Sequence, residues 1–220
     1  MEFLHAFIDI VLHLDRHLGE LMAAYDVWVY AILFVVIFAE TGLVVTPFLP
    51  GDSLLFALGA LMASTGELSA TLMWALLCFA AVLGNTVNYS IGRALGQHAF
   101  SGRYRFIKVE YLRRTEEYFV KHGAATMILS RFAPIIRTFA PFVAGVGHMP
   151  YMRFQTMNVI GGVAWVTIFI WGGYLIGNWP PIKNNFGLVT IAIVIVSVMP
   201  MVIMVLKDRA AARTAARMTQ

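Results

Sequence analysis

From Phe3 to Met22 the polar residues His5, Asp9, His13, Arg16 and Glu20 recur every three or four positions, with Leu, Ile, Val and Phe filling most of the positions between. This spacing draws one polar stripe along an otherwise apolar helix. It predicts an N-terminal amphipathic helix over residues 1–26, lying in a membrane interface or against a bundle with its stripe toward water. Three later blocks are nearly uninterrupted apolar runs: Leu68 to Ile91, Phe154 to Ile176 and Gly187 to Leu206. Each is close to the roughly 20 residues that a hydrocarbon core of about 30 Å requires. Two further apolar stretches, 27–63 and 123–147, are punctuated by Gly42, Pro47, Pro50, Gly51 and Gly59 in the first and by Pro134, Pro141, Gly145 and Gly147 in the second. Each also carries two full charges. Broken backbone at membrane depth survives only where protein buries it or it lines a wet cavity, so these stretches are expected as re-entrant hairpins.

The predicted architecture is therefore an all-α integral membrane protein: an N-terminal amphipathic helix, a membrane domain over residues 27–207 with two re-entrant hairpins and three full spans, and a basic tail over 208–220. Composition agrees. The chain is 60% hydrophobic and 13% charged, a balance that a water-soluble domain does not show. Its net charge of +4 is concentrated outside the apolar runs. The polar stretch 92–122 holds Arg93, Arg103, Arg105, Lys108, Arg113, Arg114 and Lys121, and is read as a cytoplasmic basic loop rather than a nucleic-acid surface. With a cytoplasmic C-terminus, that loop, Arg153, Lys207, Arg209, Arg213 and Arg217 lie inside, while Arg16 and Lys183 lie outside. The first hairpin then enters from the outside and the second from the inside. Trp28, Tyr30, Trp171, Tyr174 and Trp179 fall at the outer interface, where aromatic belts form.

A faint internal repeat matches Tyr89-Ser-Ile-Gly92 with Tyr174-Leu-Ile-Gly177, and sets Gly59 and Met62 against Gly145 and Met149. Joined to opposite hairpin entry, it suggests the inverted repeat of many secondary transporters. The N-terminus lacks a basic cluster, and Asp9, His13 and Asp15 interrupt its apolar run, so no cleaved signal peptide is expected. Cys78 lies alone inside an apolar run and is read as packing.

The chemistry is expected at four charges. A charge at the bilayer centre costs about 2.5–3.5 kcal/mol on insertion scales, so Glu40, Asp52, Arg131 and Arg137 must be paired or wet. Glu40 and Asp52 flank the Pro47-Phe-Leu-Pro-Gly51 break and are the candidate proton-coupling pair. Arg131 and Arg137 bracket Pro134 and offer planar donor forks suited to phosphate. Pro141 is expected to open the return half-helix, whose free N–H groups would add to an anion site. Asp52, after Pro50-Gly51, is a candidate N-cap as well. Without the functional role, the four charges would reduce to a buried ion-pair lock. Gly84, Asn88, Gly92 and Gly96, four apart, form a small-residue face for close helix packing, which would equally serve a homodimer. They are not a phosphate loop, since no Lys-Ser/Thr follows.

Together these residues resemble the DedA family of bacterial inner-membrane proteins, related to the VTT-domain lipid scramblases. The resemblance rests on Phe38-Ala-Glu40, Pro50-Gly-Asp52-Ser-Leu-Leu, the Gly84 to Gly96 segment with Asn88-Tyr89 and Gly92-Arg93, and Lys121-His-Gly123. It continues through Arg131-Phe-Ala-Pro134-Ile-Ile-Arg137, Pro141-Phe-Val-Ala-Gly145, Phe154, Asn158 and Trp165. It implies translocation of the polyprenyl carrier lipid undecaprenyl phosphate across the cytoplasmic membrane, dependence on the proton motive force, a part in envelope integrity, and Glu40, Asp52, Arg131 and Arg137 as the required set. The expected partners are an anionic lipid, protons and the surrounding membrane lipids, with no nucleic acid, metal or cofactor. Two other classes compete. A proton-coupled antiporter of ions or small cations, active in pH homeostasis and drug tolerance, would use the acidic pair for the cation. A lipid phosphatase would need a nucleophile or metal cluster, and the six histidines are scattered, so no enzyme is expected.

Overall fold

A computed structural model of the chain describes residues 14–25, 27–43, 51–66, 68–99, 125–131, 134–177, 179–183 and 192. These hold eight helices and no strand among the described residues: α1 (Leu14–Tyr25), α2 (Trp28–Gly42), α3 (Gly51–Thr65), α4 (Ala70–Ala99), α5 (Ala125–Ser130), α6 (Pro134–Val146), α7 (Tyr151–Ile176) and the short α8 (Pro180–Lys183). The expected span Gly187–Leu206, Pro47 and Pro50, most of the basic loop, the tail and the first turns of the N-terminal helix lie outside the described residues.

Two helices, the Ala70–Leu95 part of α4 and all of α7, are long and apolar enough to cross a membrane. At 1.5 Å per residue, their 26 residues reach about 39 Å, while the 15 residues of α2 and of α3 reach only about 22 Å. The long helices run antiparallel and are stitched by polar contacts: Trp74 Nε1 donates to Thr167 Oγ1 (2.8 Å), and Asn158 Nδ2 to Val82 O (3.0 Å). Along this pair the short helices divide the length between them. Tyr30 meets Ser69, Phe34 meets Phe79, and Thr41 meets Gly84, so α2 follows the first half of α4. Asp52 meets Trp165 and Ala60 meets Gly177, so α3 runs back along the second half of α7, which lies at the same end. The α5–α6 pair fills the other end. Ile128 and Arg131 pack on Gly161, and α6 climbs from Thr138 beside Asn88 to Gly145 beside Tyr89.

The same joint is made twice. A Cβ on Gly59 of α3 would strike the backbone of α7 at Ile170, and one on Gly173 would strike Phe56. A Cβ on Gly145 of α6 would strike the backbone of α4 at Tyr89, and one on Gly92 would strike Phe142. Each return helix thus lies backbone to backbone on the long helix of the other half of the chain. The packing pairs Gly92 with Gly173, a different register from the Gly92 with Gly177 match suggested by sequence.

Three further expectations are corrected. The basic loop does not begin at Gly92: α4 continues to Ala99, because Gly92 is held against α6 and the following Arg-Ala-Leu-Gly-Gln-His-Ala is mostly made of good helix formers. Pro141 does not open the return helix. Pro134 does, where a missing N–H costs nothing, and Pro141 sits inside α6. Gly145 is likewise no break but the contact point with α4.

Buried residues form two apolar clusters. The larger joins Leu18 of α1, Val29, Leu33 and Ile37 of α2, Leu55 and Leu58 of α3, Met73 and Leu77 of α4, and Val166 and Ile170 of α7. The smaller joins Tyr89, Met127, Ala140, Ala144 and Phe154 at the other end. Large apolar side chains also point outward, among them Val35, Leu72, Phe79, Ile160, Ile168 and Leu175. An apolar exterior on this scale needs hydrocarbon rather than water around it.

Candidate functional site

Between the two apolar clusters, where the C-terminus of α2, the N-terminus of α3, the end of α5 and the first turn of α6 meet halfway along α4 and α7, the core turns polar. Glu40, Thr41, Asp52, Ser53, Asn85, Asn88, Ser130, Arg131, Arg137, Thr138 and Asn158 are all buried there. The four charges predicted from sequence come together in this layer, but unequally.

Arg137 takes both carboxylates. Its Nη1 donates to Asp52 Oδ1 at 2.6 Å, and its Nη2 donates to Glu40 Oε1. Trp165 completes the cradle: its Nε1 donates to the same Asp52 oxygen (2.8 Å), and the Arg137 guanidinium lies 4.6 Å from its ring centroid. A guanidinium on an indole face between two carboxylates is a well-compensated buried cation. Asp52 therefore acts as an ion-pair partner within the first turn of α3, which begins at Gly51, one residue before it. Gly51 is needed beside it, since a side chain at that position would fall on the Glu40 carboxylate. The chain can therefore turn into α3 directly beneath Glu40.

Arg131, 1% exposed, has no carboxylate among the described residues. Its Nη2 is held by neutral oxygens: Asn158 Oδ1, Asn158 O at 3.3 Å and Ala81 O at 3.4 Å. The Asn85 amide, turned with its nitrogen toward Thr41 O (3.2 Å), adds an oxygen at 2.8 Å. Its Nε and Nη1 find no hydrogen-bond partner among the described residues. Arg137 Nε, Glu40 Oε2 and Asn88 Oδ1 share that condition. Buried polar atoms left unpaired cost about 1–3 kcal/mol each, more when charged, and they are concentrated in this layer. Gly161 and Gly162 open the space for the Arg131 fork, because a side chain at either would press on it.

Asn88 ties α2 to α6, its Nδ2 donating to Thr41 O (3.2 Å) and Thr138 O (2.8 Å). Sequence reasoning had Asn88 in a packing face, and noted Asn158 and Trp165 only through the family resemblance. Their own signal was available: Asn158, Gly162 and Trp165 recur at steps of four and three along one face of an apolar helix. Asn85 left no trace in the pattern. Among the described residues no three His, Cys, Asp or Glu side chains gather as a metal site.

A search for family relationships matches the VTT domain over residues 49–175, which takes in Asp52, both arginines and Trp165. The chain belongs to the DedA family. It is 49% identical over 219 residues to Protein DedA of Escherichia coli K12, covering 99% of this chain and 100% of that one. It is 41% identical over 170 residues to the uncharacterized membrane protein Rv0364 of Mycobacterium tuberculosis, covering 76% and 74% of the two chains. It is 38% identical over 152 residues to the inner membrane protein YqjA of Escherichia coli K12, covering 69% of each. No solved structure matches. In this DedA-family chain, the apolar exterior and the two spanning-length helices are those of a membrane protein.

Proposed function

We propose that this protein translocates an anionic polyprenyl lipid phosphate, undecaprenyl phosphate by family resemblance, across the bacterial cytoplasmic membrane in exchange with protons. The observation that carries the reading is the unequal pairing of the two buried arginines. Arg137 is neutralised twice, by Glu40 and Asp52, while Arg131 keeps two donor nitrogens open and no counter-ion among the described residues. A phosphate oxygen is the natural occupant of that fork. Protons on Glu40 or Asp52 would loosen their hold on Arg137 and release a second guanidinium to the same headgroup, which links proton uptake to anion binding.

The arrangement of the helices supports an inverted repeat of two re-entrant hairpins. Each half contributes a short pair that reaches only half the length of the long helices, and the two tips meet at mid-depth, where such transporters hold substrate. With the basic residues of the middle segment and tail inside, the first hairpin enters from the outside, the second from the cytoplasm, and the C-terminus is cytoplasmic.

A cation antiporter would need a carboxylate free for its ion. Both carboxylates are engaged by Arg137, which favours the anion reading. The test is purified protein in liposomes carrying undecaprenyl phosphate in one leaflet. Protein-dependent equilibration between leaflets is expected, lost in Glu40→Gln and in Arg131→Ala. Equal rates with and without protein would end the proposal.

A further inference from the structure

The seam between α4 and α7 changes character along its length. On the side of the first hairpin its fully buried positions are Met73, Leu77, Val166 and Ile170, with one polar contact between the half-buried Trp74 and Thr167. On the side of the second hairpin it is polar. Asn158, which holds Arg131, has its Nδ2 3.3 Å from Thr86 Oγ1 and 3.4 Å from Gln155 Oε1. The Thr86 hydroxyl lies 3.0 Å from Gln155 Oε1. Thr86 and Gln155 are only half-buried, and Ser90, Arg93 and Arg153, at the same end of the two helices, are exposed. A line of hydrogen-bonded polar groups therefore runs from Arg131, through the Nη2 that Asn158 holds, toward the surface.

That line sits in an odd place for structural polarity. Gln155 is flanked on its own helix by Met152 and Val159, one turn before and after, and both are exposed apolar residues that belong in hydrocarbon. Its Oε1 is met by Thr86 and Asn158, while the rest of the amide stands at the edge of hydrocarbon, where polarity is costly unless something polar passes there.

We propose that Gln155, Thr86 and Asn158 form the path along which a phosphate headgroup travels between Arg131 and the face bearing Arg93 and Arg153, while its hydrocarbon tail stays in the bilayer beside Met152 and Val159. The inference rests on the lipid-phosphate reading for the identity of the cargo. In the conformation described here the polar line from Arg131 leads to that face, and the fully buried side chains of the other half of the seam are apolar. Gln155 is a positioning residue: it hands the headgroup on and does not hold it at the end point.

Cys78 is the chain's one cysteine and is buried, so Cys78→Ala gives a clean background for labelling. Single cysteines are placed in the full-length protein in liposomes at Gln155, Thr86, Arg153 and Leu77, and treated with a membrane-impermeant, negatively charged thiol reagent. Positions 155 and 86 are expected to react from the face that labels 153, at least tenfold faster than 77. Undecaprenyl phosphate should slow labelling at 155 severalfold, and undecaprenol should not. Reaction at 155 and 86 no faster than at 77 overturns the path, as does labelling indifferent to the phosphate lipid in vesicles that translocate it. Charge provides a second reading. Gln155→Glu should slow translocation at least tenfold and Gln155→Lys should not, whereas a purely structural amide would make the two variants alike. If the same vesicles move no lipid phosphate at all, the translocation reading falls, while labelling still decides whether the seam admits an anion to Arg131.

Discussion

Arg131 and Arg137 are chemically the same side chain buried to the same degree, and their surroundings give them opposite duties. Removing Arg137 would leave two carboxylates in the core without a cation, whereas removing Arg131 would take away a charge that no carboxylate balances among the described residues. Arg137→Met is therefore expected to destabilise the protein in detergent by about 3–5 kcal/mol at neutral pH. The loss should shrink as pH falls and the stranded carboxylates take up protons, and should largely vanish when Glu40→Gln and Asp52→Asn are added. Arg131→Met, by contrast, should unfold at or above the temperature of the unaltered protein while losing activity. Thermal melts of the four proteins at two pH values check all of this. At this scale the sequence was informative about which residues matter and silent about pairing. Intramembrane charge is costly wherever it lies, so Glu40, Asp52, Arg131 and Arg137 stand out from the chain alone. Which carboxylate reaches which arginine depends on how segments far apart in sequence meet, and no local pattern records that.

Among the helices, the deciding contacts are made by glycines whose missing side chains let backbones touch. Gly172 and Gly173 are neighbours on α7 with opposite surroundings: nothing lies within 4 Å of a Cβ built at Gly172, while one at Gly173 would overlap the Phe56 carbonyl of α3. Gly172→Ala should leave the melting temperature unchanged or slightly raised, since alanine favours a helix by about 0.8–1.0 kcal/mol over glycine. Gly173→Ala should lower it by several degrees or prevent folding, and Gly92→Ala should behave like Gly173→Ala because it meets Phe142 in the equivalent joint. Apolar length placed α7 and the start of α4 within a few residues of where they lie but missed the last turns of α4, and the glycines and prolines marked stretch 27–63 as broken, where α2 and α3 lie. The role of each interruption was less legible. Pro134 starts a helix and Pro141 lies within one, and a proline's effect depends on whether a carbonyl one turn earlier needed its missing N–H. Gly145 looked like a break because glycine weakens an isolated helix, but it is secured by α4 packed against it, while Gly84 and Gly92 make the close helix contacts expected of their small-residue face.

For the molecule as a whole, the arrangement proposed is two half-length hairpins entering from opposite faces and meeting in the middle. Leu43 follows the last turn of α2, is exposed, and in this proposed arrangement lies toward the tip of the first hairpin. In a Cys78→Ala background, Leu43→Cys should resist a water-borne thiol reagent from either face of a vesicle, and Gly66→Cys, in the turn before α4, should react readily from one. Rapid labelling of Leu43→Cys from the face opposite Gly66→Cys would mean that the first hairpin crosses the bilayer in full. The positive charge of the loops suggested the orientation of the hairpins, and the repeated joint between return helix and long helix supports the two-fold relation. The sequence match of Gly59 with Gly145 agrees with the joints, since each seats its return helix on the long helix of the other half, whereas Gly92 was set against Gly177 and the joints pair it with Gly173.

The central claim is that Arg131 seats the lipid phosphate while the carboxylates govern the release of Arg137. It is tested most directly by equilibrium binding of undecaprenyl phosphate and of undecaprenol to the purified protein, measured by native mass spectrometry for the unaltered chain, Arg131→Met, and the Glu40→Gln, Asp52→Asn pair. The account predicts preference for the phosphate lipid, at least tenfold weaker binding of it in Arg131→Met, and tighter binding once both carboxylates are neutral. Equal affinity for the phosphate lipid with and without Arg131, or weaker binding in the neutralised pair, would contradict it.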